Sequence, residues 1–245
     1  MEREPMNRYF WMACIAAVAL LAGCVTVDSV RIRSQIGDKA VVVVVNVPNE
    51  LPLSWVGTTL LNNESAVHSS PEWTIRHWIE ERAVASLRQS GRSARALVLL
   101  PGTQVNLAQL IDTSREVALV ISPGYGPDRV FDRPPYVRGV GLRQHTLFGL
   151  EAASATYVRL NARLLNPSHP EEAPLVSSES FQRLPFVALE KGPAMQPRVD
   201  GAVRDVIRVQ IDGVLLDLIG QLGLFDGPVD GRFPTMPSAA TGPRG

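Results

Sequence analysis

Runs of apolar residues separated by turn-forming residues predict a chain built largely on β-strands. The strongest run extends from residue 40 to 47 (AVVVVVNV) and is almost entirely β-branched. Such a run, without polar alternation, is typical of a strand buried on both faces of a sheet. Residues 29–36 alternate between apolar and polar side chains, which predicts a strand close to the N-terminal region. The remaining predicted strands lie at 53–61, 96–100, 117–121, 138–148, 153–165 and 177–189.

Two segments have the period of an amphipathic helix. Ser70, Pro71 and Glu72 are typical of a helix start, with Ser70 as the N-cap, and the predicted helix runs to about Ser90 before Gly91. A second helix is predicted over 200–222. It is followed by Gly223, where a helix-terminating glycine belongs. The apolar faces consist of Ile75, Trp78, Ile79, Ala83 and Leu87 in the first helix and Val203, Ile207, Ile211, Val214, Leu218 and Leu222 in the second.

Strands and helices in this order predict a single α/β domain in which a mixed sheet is covered by helices. The strands at 96–100 and 117–121, separated by a short helical turn at 105–111, suggest a βαβ unit with parallel pairing. Gly139-Val140-Gly141 lies inside an apparent strand. We interpret it as a close backbone approach rather than as part of a nucleotide-binding motif, because its third glycine is absent.

A 16-residue loop, 122–137 (SPGYGPDRVFDRPPYV), is the segment whose composition most favours binding. Long irregular loops within compact domains are uncommon and often functional, and aromatic residues with arginine are favoured at binding surfaces. The candidate protein-binding residues are Tyr125, Arg129, Phe131 and Tyr136. The alternative is a proline-stiffened connection whose aromatic side chains pack back onto the sheet.

The N-terminal residues have the organisation of an export signal. Arg3 and Arg8 precede an apolar run of 13 residues, Tyr9 to Leu21, which is shorter than the roughly 20 residues needed to span a bilayer. Leu21-Ala22-Gly23-Cys24 resembles the lipobox of bacterial lipoproteins, and this resemblance implies cleavage between Gly23 and Cys24 and lipidation of Cys24. Val25 is not the aspartate associated with inner-membrane retention, so the outer membrane, on its periplasmic face, is the expected location.

These signals divide the chain into four predicted parts. Residues 1–23 form a lipoprotein signal peptide, 24–29 a short lipidated tether, 30–225 a periplasmic α/β domain, and 226–245 a disordered tail rich in proline and glycine. The other cysteine, Cys14, lies in the signal, so the mature chain has no intramolecular disulfide.

Charge and motifs exclude several classes of function. The 24 basic and 24 acidic residues balance, which argues against nucleic acid as a partner. The sequence contains neither a phosphate-binding loop nor a serine-hydrolase motif, and no histidine pair has the spacing of a metal site. We therefore predict no catalytic residue, no metal and no cofactor. An envelope hydrolase with a non-standard active site, drawing on His145, Asp128 or Glu151, remains the alternative.

Several segments together resemble a group of uncharacterised proteobacterial exported proteins. They include Ile36-Gly37-Asp38, Val56-Gly57-Thr58-Thr59 with Asn62-Asn63, Tyr125-Gly126 and the stretch 139–149 (GVGLRQHTLFG). More loosely, the order of elements behind a lipobox is similar to the α/β lipoprotein domains of the curli secretion protein, the penicillin-binding-protein activators and the amino-terminal domain of the Tol translocation protein. That resemblance implies a non-enzymatic domain that binds other envelope proteins.

The sequence thus predicts a non-enzymatic lipoprotein held to membrane lipid through Cys24, whose periplasmic domain binds or scaffolds another envelope component. A carrier of a small ligand or lipid, working beside a transporter, is a further alternative. The oligomeric state is left open.

Overall fold

Three helices and a series of strands form the fold in the computed structural model, which describes residues 27–57, 63–69, 71–99, 107–131, 136–146, 152–190, 196–197 and 200–225. The helices in these ranges are α1 (Ser29–Ile36), α2 (Ile75–Gln89) and α3 (Asp200–Gln221), with a short 3-10 turn at Leu107–Gln109. The strands are β1 (Ala40–Val45), β2 (Leu51–Val56), β3 (Glu64–His68), β4 (Ala94–Ala96), β5 (Glu116–Pro123), β6 (Tyr125–Pro127), β7 (Tyr136–Arg138), β8 (Val140–Thr146), β9 (Ala152–Leu165), β10 (Leu175–Leu184), β11 (Leu189–Glu190) and β12 (Gln196–Pro197).

Eight of the described strands form one mixed sheet, which confirms the predicted α/β class. The path through the sheet is β3-β2-β8-β9-β5-β1-β4, and β10 pairs with β9. As the β-branched run predicts, β1 lies inside the sheet, and its residues 41–45 are buried. The expected βαβ unit is wrong in its pairing: β4 and β5 do not pair with each other, because each lies parallel to β1 on opposite sides of it.

The long strand β9 organises the sheet. Along one edge, its residues 154–163 pair with β10. Along the other edge, residues 160–165 pair with β5 and residues 152–158 pair with β8, so β5 and β8 lie end to end. The next two strands of the sheet repeat this arrangement, because β1 pairs with β5 and β2 pairs with β8. The sheet therefore has a break between β5 and β8 and a second break beside it, between β1 and β2.

The prediction of a strand over 29–36 is wrong, because these residues form helix α1. Asp28 caps the helix: its carboxylate accepts a hydrogen bond from the Arg31 backbone N–H at 3.0 Å. Ile32 and Ile36, four residues apart, are the buried positions, whereas Val30 is 76% exposed. Spacing of four places both isoleucines on one helical face, so the helical period prevails over the short alternation.

Helix α2 begins later than its sequence signal. Its N-cap is Thr74 and its first residue Ile75, whereas Pro71 and Glu72 lie in a turn and Ser70 is outside the described residues. Thr74 makes no side-chain capping bond. Instead, Asn49 of the β1–β2 connection accepts from the Arg76 backbone N–H at 2.9 Å. A cap supplied from a distant segment has no local sequence signature.

Helices α2 and α3 cover one face of the sheet and form the main core with it. All five predicted apolar residues of α2 and all six of α3 are buried. The Arg82 guanidinium joins the two helices through a bidentate ion pair with Asp212, at 2.5 and 2.8 Å. Gly91 and Gly223 both have positive φ, as helix-terminating glycines require.

Several predictions fall outside the described residues. These include the signal segment with Gly23 and Cys24, Glu151, and the tail at 226–245. Among the helices that the structure describes, we find none with the length and apolar character needed to cross a bilayer.

Candidate binding ribbon and adjacent cleft

The segment predicted to be an irregular loop is in part a two-stranded antiparallel ribbon, formed by β6 and β7. Tyr125 pairs with Arg138, and Pro127 pairs with Tyr136. The ribbon leaves the sheet between the collinear strands β5 and β8. Hydrogen bonds at its base, from Gly124 N–H to the Arg159 carbonyl and from Arg159 N–H to the Gly139 carbonyl, join it to β9 at 2.9 and 2.8 Å.

Two glycines give the ribbon its position. Gly139 has a φ of +68°, a conformation that L side chains rarely adopt, at the point where the chain turns back into β8. Gly126 lies against the Arg159 side chain, and a Cβ added there would overlap the guanidinium. The sequence interpretation of Gly139 as a close approach agrees with its contact to Pro123, whose Cβ is 3.2 Å from an ideal Gly139 Cβ.

A charged cluster ties the ribbon to the sheet. The Glu179 carboxylate on β10 forms ion pairs with both Arg129 and Arg159, and its contact with Arg129 Nε is 3.0 Å. Arg159 also donates to the Pro127 carbonyl at 3.0 Å. Burial lowers the pKa of Arg159, and the neighbouring charge of Arg129 lowers it further. One carboxylate thus holds two cations, one from the loop and one from β9.

The ribbon presents two aromatic rings to solvent. Tyr125 is 68% and Tyr136 52% exposed, and their rings stack with centroids 5.3 Å apart and planes 12° from parallel. Because the ribbon is held at its base and along its side, these rings occupy a defined position rather than the tip of a free loop. Of the four candidate binding residues, these two form an exposed aromatic pair.

The other two candidates lie in different environments. Arg129 is on the surface but engaged with Glu179. Phe131 is 7% exposed, and its ring stacks on His145 at 5.5 Å, so it packs inward as the alternative interpretation expected. The loop therefore combines both interpretations: its base presents aromatic rings outward, whereas residues 128–131 fold over the sheet.

A buried ion pair lies beneath residues 128–131. The Asp128 carboxylate contacts the Arg143 guanidinium, and both side chains are only 2% exposed. The second Asp128 oxygen accepts from the backbone N–H groups of Val130 and Phe131 at 2.7 and 3.2 Å. Burial lowers the pKa of Arg143, and the Asp128 charge opposes that shift.

These contacts bear on the residues suggested for a hydrolase. Asp128 engages Arg143, and His145 stacks on Phe131. Within the part of the chain that the structure describes, Asp128 and His145 thus engage different partners, and Glu151 lies outside that part.

A cleft of about 540 Å³ opens at the ribbon base, beside the breaks between β5 and β8 and between β1 and β2. Its floor contains Arg143 and Tyr157, both almost fully buried. Burial raises the pKa of Tyr157 to about 12. The other lining residues are Asn46, Pro48, Glu50, Pro52, Ser54, Pro123, Tyr136, Val137, Arg138, Gly139 and Val140.

The sequence analysis did not single out Arg143, Tyr157, Arg159 or Glu179. The available signal was the Gly139-Val140-Gly141 motif, because Gly141 leaves the space in which the Tyr157 hydroxyl lies. Arg143, Tyr157 and Arg159 face the side of the sheet opposite the core residues Leu142, Val158 and Leu160, and that side could be assigned only once the helices were placed.

No protein-family model matches the chain, and no curated protein matches it in sequence. Solved structures of bacterial proteins do align with it. A Xanthomonas campestris protein of the family DUF330 covers 74% of this chain and 81% of its own, with 12% identity and a TM-score of 0.40.

Two further structures align over similar lengths. A PelC variant from Paraburkholderia phytofirmans, a dodecamer, covers 76% of this chain and 89% of its own, with 13% identity and a TM-score of 0.31. A Helicobacter pylori homologue of neuraminyllactose-binding hemagglutinin covers 76% and 86%, with 10% identity and a TM-score of 0.33. At these identities and TM-scores the similarity carries no argument about family or function.

Proposed function

We propose that this protein is a non-enzymatic outer-membrane lipoprotein, anchored through Cys24, whose periplasmic domain binds another envelope protein through the ribbon. The observation that carries the binding role is the stacked, exposed pair of Tyr125 and Tyr136 on a ribbon held in place by ion pairs. Aromatic residues are enriched among the residues that dominate binding energy at interfaces. A binding surface that is already held in one conformation also loses less conformational entropy when it binds.

The proposed anchor would lie close to the folded domain. Two residues separate Cys24 from Val27, the first described residue, so the two positions are at most about 10 Å apart along the chain. Helix α1 follows immediately, and its Arg31 and Gln35 side chains bond Glu172 in the β9–β10 connection. Lipidated Cys24 would therefore hold this end of the sheet near the leaflet, without a long tether.

The ribbon would lie well above that surface. Its base is at Arg159, and the β9–β10 connection begins after Leu165, so about 20 Å of β9 separates the ribbon base from the proposed membrane end. A partner in the periplasm could then contact Tyr125 and Tyr136 while the domain remains anchored.

The anchor is tested by fractionating envelopes of cells that express the wild-type chain or Cys24→Ser. We expect the wild-type protein in the outer-membrane fraction and the variant, with its signal removed, in the soluble periplasmic fraction. Recovery of processed Cys24→Ser protein in the membrane fraction would contradict lipid anchoring.

The ribbon is tested by crosslinking in intact envelopes, comparing the wild-type chain with the double variant Tyr125→Ala and Tyr136→Ala. We expect a specific crosslinked envelope protein that is lost in the double variant. Val209→Ala is the matched control, because Val209 is 69% exposed on α3, away from the ribbon. Equal crosslinking by the folded double variant would exclude the aromatic pair from the interface.

A further inference from the structure

The outer edge of β10 is unpaired among the described strands. β10 has ten residues and pairs only with β9, so no strand in the part of the chain that the structure describes lies along its second edge. An edge with unpaired N–H and C=O groups readily accepts a further strand. Proteins commonly protect such edges with proline, with lysine or by keeping the strand very short, and β10 shows none of these features. Its edge is therefore a candidate for binding an extended segment.

The register of β9 and β10 shows which backbone groups point outward. Arg159 of β9 uses both its N–H and its C=O at the ribbon base, so its backbone faces away from β10. Directly opposite residues of an antiparallel pair either both face each other or both face away. Arg159 lies opposite Glu179, so the backbone groups of Glu179, and with them those of Phe181 and Arg183, point away from β9. We call these three residues of β10 the open edge.

Helix α3 covers one end of this edge and leaves the rest accessible. Ser177 also points outward, and its carbonyl lies 3.4 Å from Nε2 of Gln221, at the end of α3. Among the described residues, no strand or side chain provides a comparable backbone bond to the open edge. Residues 179–183 extend over about 13 Å, which is close to the length of a common short strand.

The side chains beside the open edge have an excess of positive charge. On the side of the sheet that carries the ribbon, Glu179 is paired with both Arg129 and Arg159, and Arg183 is exposed. Arg129 is itself 62% exposed in its side chain. Three guanidinium groups therefore surround a single carboxylate, and the buried ion pair beneath residues 128–131 adds no net charge. An acidic segment would be attracted to this side of the edge.

The other side of β10, which faces α3, carries no charge. Its residues alternate with those of the open edge and are Val176, Ser178, Ser180, Gln182 and Leu184. Ser180 lies under α3, where it accepts a hydrogen bond from Nε2 of Gln210 at 3.3 Å. Successive side chains of a strand point to opposite faces. A strand added to this edge would therefore place one alternate set of side chains near the arginines and the other set near uncharged residues.

We propose that β10 binds an extended segment of a partner protein as an added β-strand, with acidic side chains at alternate positions facing the arginines. Backbone hydrogen bonds to the open edge would provide affinity, and the alternate acidic side chains would provide specificity. A second copy of this chain fits less well, because it would bring the same positive charge to the same edge. The site goes beyond the proposed function, since it depends neither on the tyrosine pair of the ribbon nor on the lipid anchor.

The proposal is tested with the fluorescein-labelled peptide Thr-Val-Glu-Val-Glu-Val-Glu-Val-Thr, by fluorescence anisotropy with the full chain carrying Cys24→Ser at neutral pH. We expect saturable binding with one peptide per protein. The counterpart with lysine in place of each glutamate should bind at least tenfold more weakly, because it brings positive charge to the arginines. Absence of binding by the folded protein, or equal affinities for the two peptides, would overturn the proposal.

Backbone methylation of the peptide tests the mode of binding. In a strand, the amides of alternate residues face the same edge, so only one alternate set can bond to β10. We therefore compare a peptide methylated at the three glutamate nitrogens with one methylated at the three valines that precede them. Their affinities should differ at least tenfold. Equal affinities would show that the peptide does not add as a strand, and would refute the proposal.

A charge reversal locates the site. Arg183→Glu replaces an exposed attraction, which corresponds to up to about a fivefold change in affinity, by a repulsion, so we expect the glutamate peptide to bind about fivefold more weakly or less. Arg115→Glu is the matched control, because Arg115 is 86% exposed and precedes β5, which pairs with the end of β9 away from Arg183. Unchanged affinity in folded Arg183→Glu, or an equal fall in Arg115→Glu, would refute the site. Dimers of the wild-type chain that Arg183→Glu abolishes, without peptide binding, would instead assign the edge to a second copy and overturn the proposal.

Discussion

The buried ion pair between Asp128 and Arg143 allows a direct test of how the ribbon segment is held on the sheet. Asp128→Ala removes a carboxylate that contacts the Arg143 guanidinium, a side chain that is only 2% exposed. It also removes the acceptor of the Val130 and Phe131 backbone N–H groups. The variant therefore lacks a carboxylate beside a buried guanidinium, and two backbone donors lose the acceptor that they have in the wild-type protein.

The expected loss is large on the scale of protein stability. Removing one partner of a buried ion pair costs about 3–5 kcal/mol, because the remaining charge stays desolvated. Whole domains have unfolding free energies of about 5–15 kcal/mol. Asp128→Asn should cost less than Asp128→Ala, since the amide oxygen keeps an acceptor for the two N–H groups. Adding Arg143→Leu to Asp128→Asn should recover part of the loss, because it removes the buried charge itself.

The measurement is urea denaturation of the full chain carrying Cys24→Ser, followed by circular dichroism. Arg31→Ala is the control, because its ion pair with Glu172 is exposed, with 62% of the Arg31 side chain accessible. Such surface pairs contribute at most about 1 kcal/mol. If Asp128→Ala lowered the unfolding free energy by no more than Arg31→Ala does, the inference that this pair is desolvated would be wrong.

Two further perturbations test the same region. Gly126→Ala places a Cβ in the volume of the Arg159 guanidinium, so we expect a loss of about 1–3 kcal/mol by urea denaturation. Gly213→Ala, where a Cβ meets nothing within 4 Å inside helix α3, should instead be neutral or stabilising, and equal effects of the two substitutions would contradict this account. Raising the pH from 10 to 12 should lower the unfolding free energy of the wild-type protein by up to about 2–3 kcal/mol relative to Tyr157→Phe. The unfolded chain loses the Tyr157 proton near pH 10, whereas burial holds its folded pKa at about 12, so this stability is present below pH 10 and lost above it. Parallel stability curves for the two proteins would show that Tyr157 is not desolvated.

The elements that the sequence predicts best are those whose pattern is long and buried. The β-branched run of β1 and the apolar stripe of α3 have enough consecutive positions for their period to be unambiguous. Segment 29–36 is only eight residues long, and its apparent alternation competes with a spacing of four between Ile32 and Ile36. The true start of α2 depends on Asn49, a residue 27 positions from Arg76, which no local pattern reveals.

The candidate site is predicted only in part for the same reason. Composition identified the segment that carries Tyr125 and Tyr136, because aromatic residues, prolines and glycines concentrate there. It did not separate these exposed rings from buried Phe131, since burial depends on which part of the segment folds over the sheet. Nor did it reveal Arg143, whose role follows from the partner that the fold places beside it.

The two faces of the sheet are stabilised by different physical means, and this difference bears on function. The face under α2 and α3 is covered by aliphatic side chains, whose burial is non-directional and tolerates volume-conserving exchange. The face under residues 128–131 is covered through ion pairs and hydrogen bonds, whose geometry is specific. Substitutions on the helical face should therefore change stability gradually and leave partner binding intact. On the ribbon face, a single lost partner such as Asp128 or Glu179 should displace the ribbon, and with it both the exposed tyrosine pair and one wall of the cleft. The proposed protein interface and the cleft beside the ribbon share this support, so we expect changes in Glu179 to alter both together.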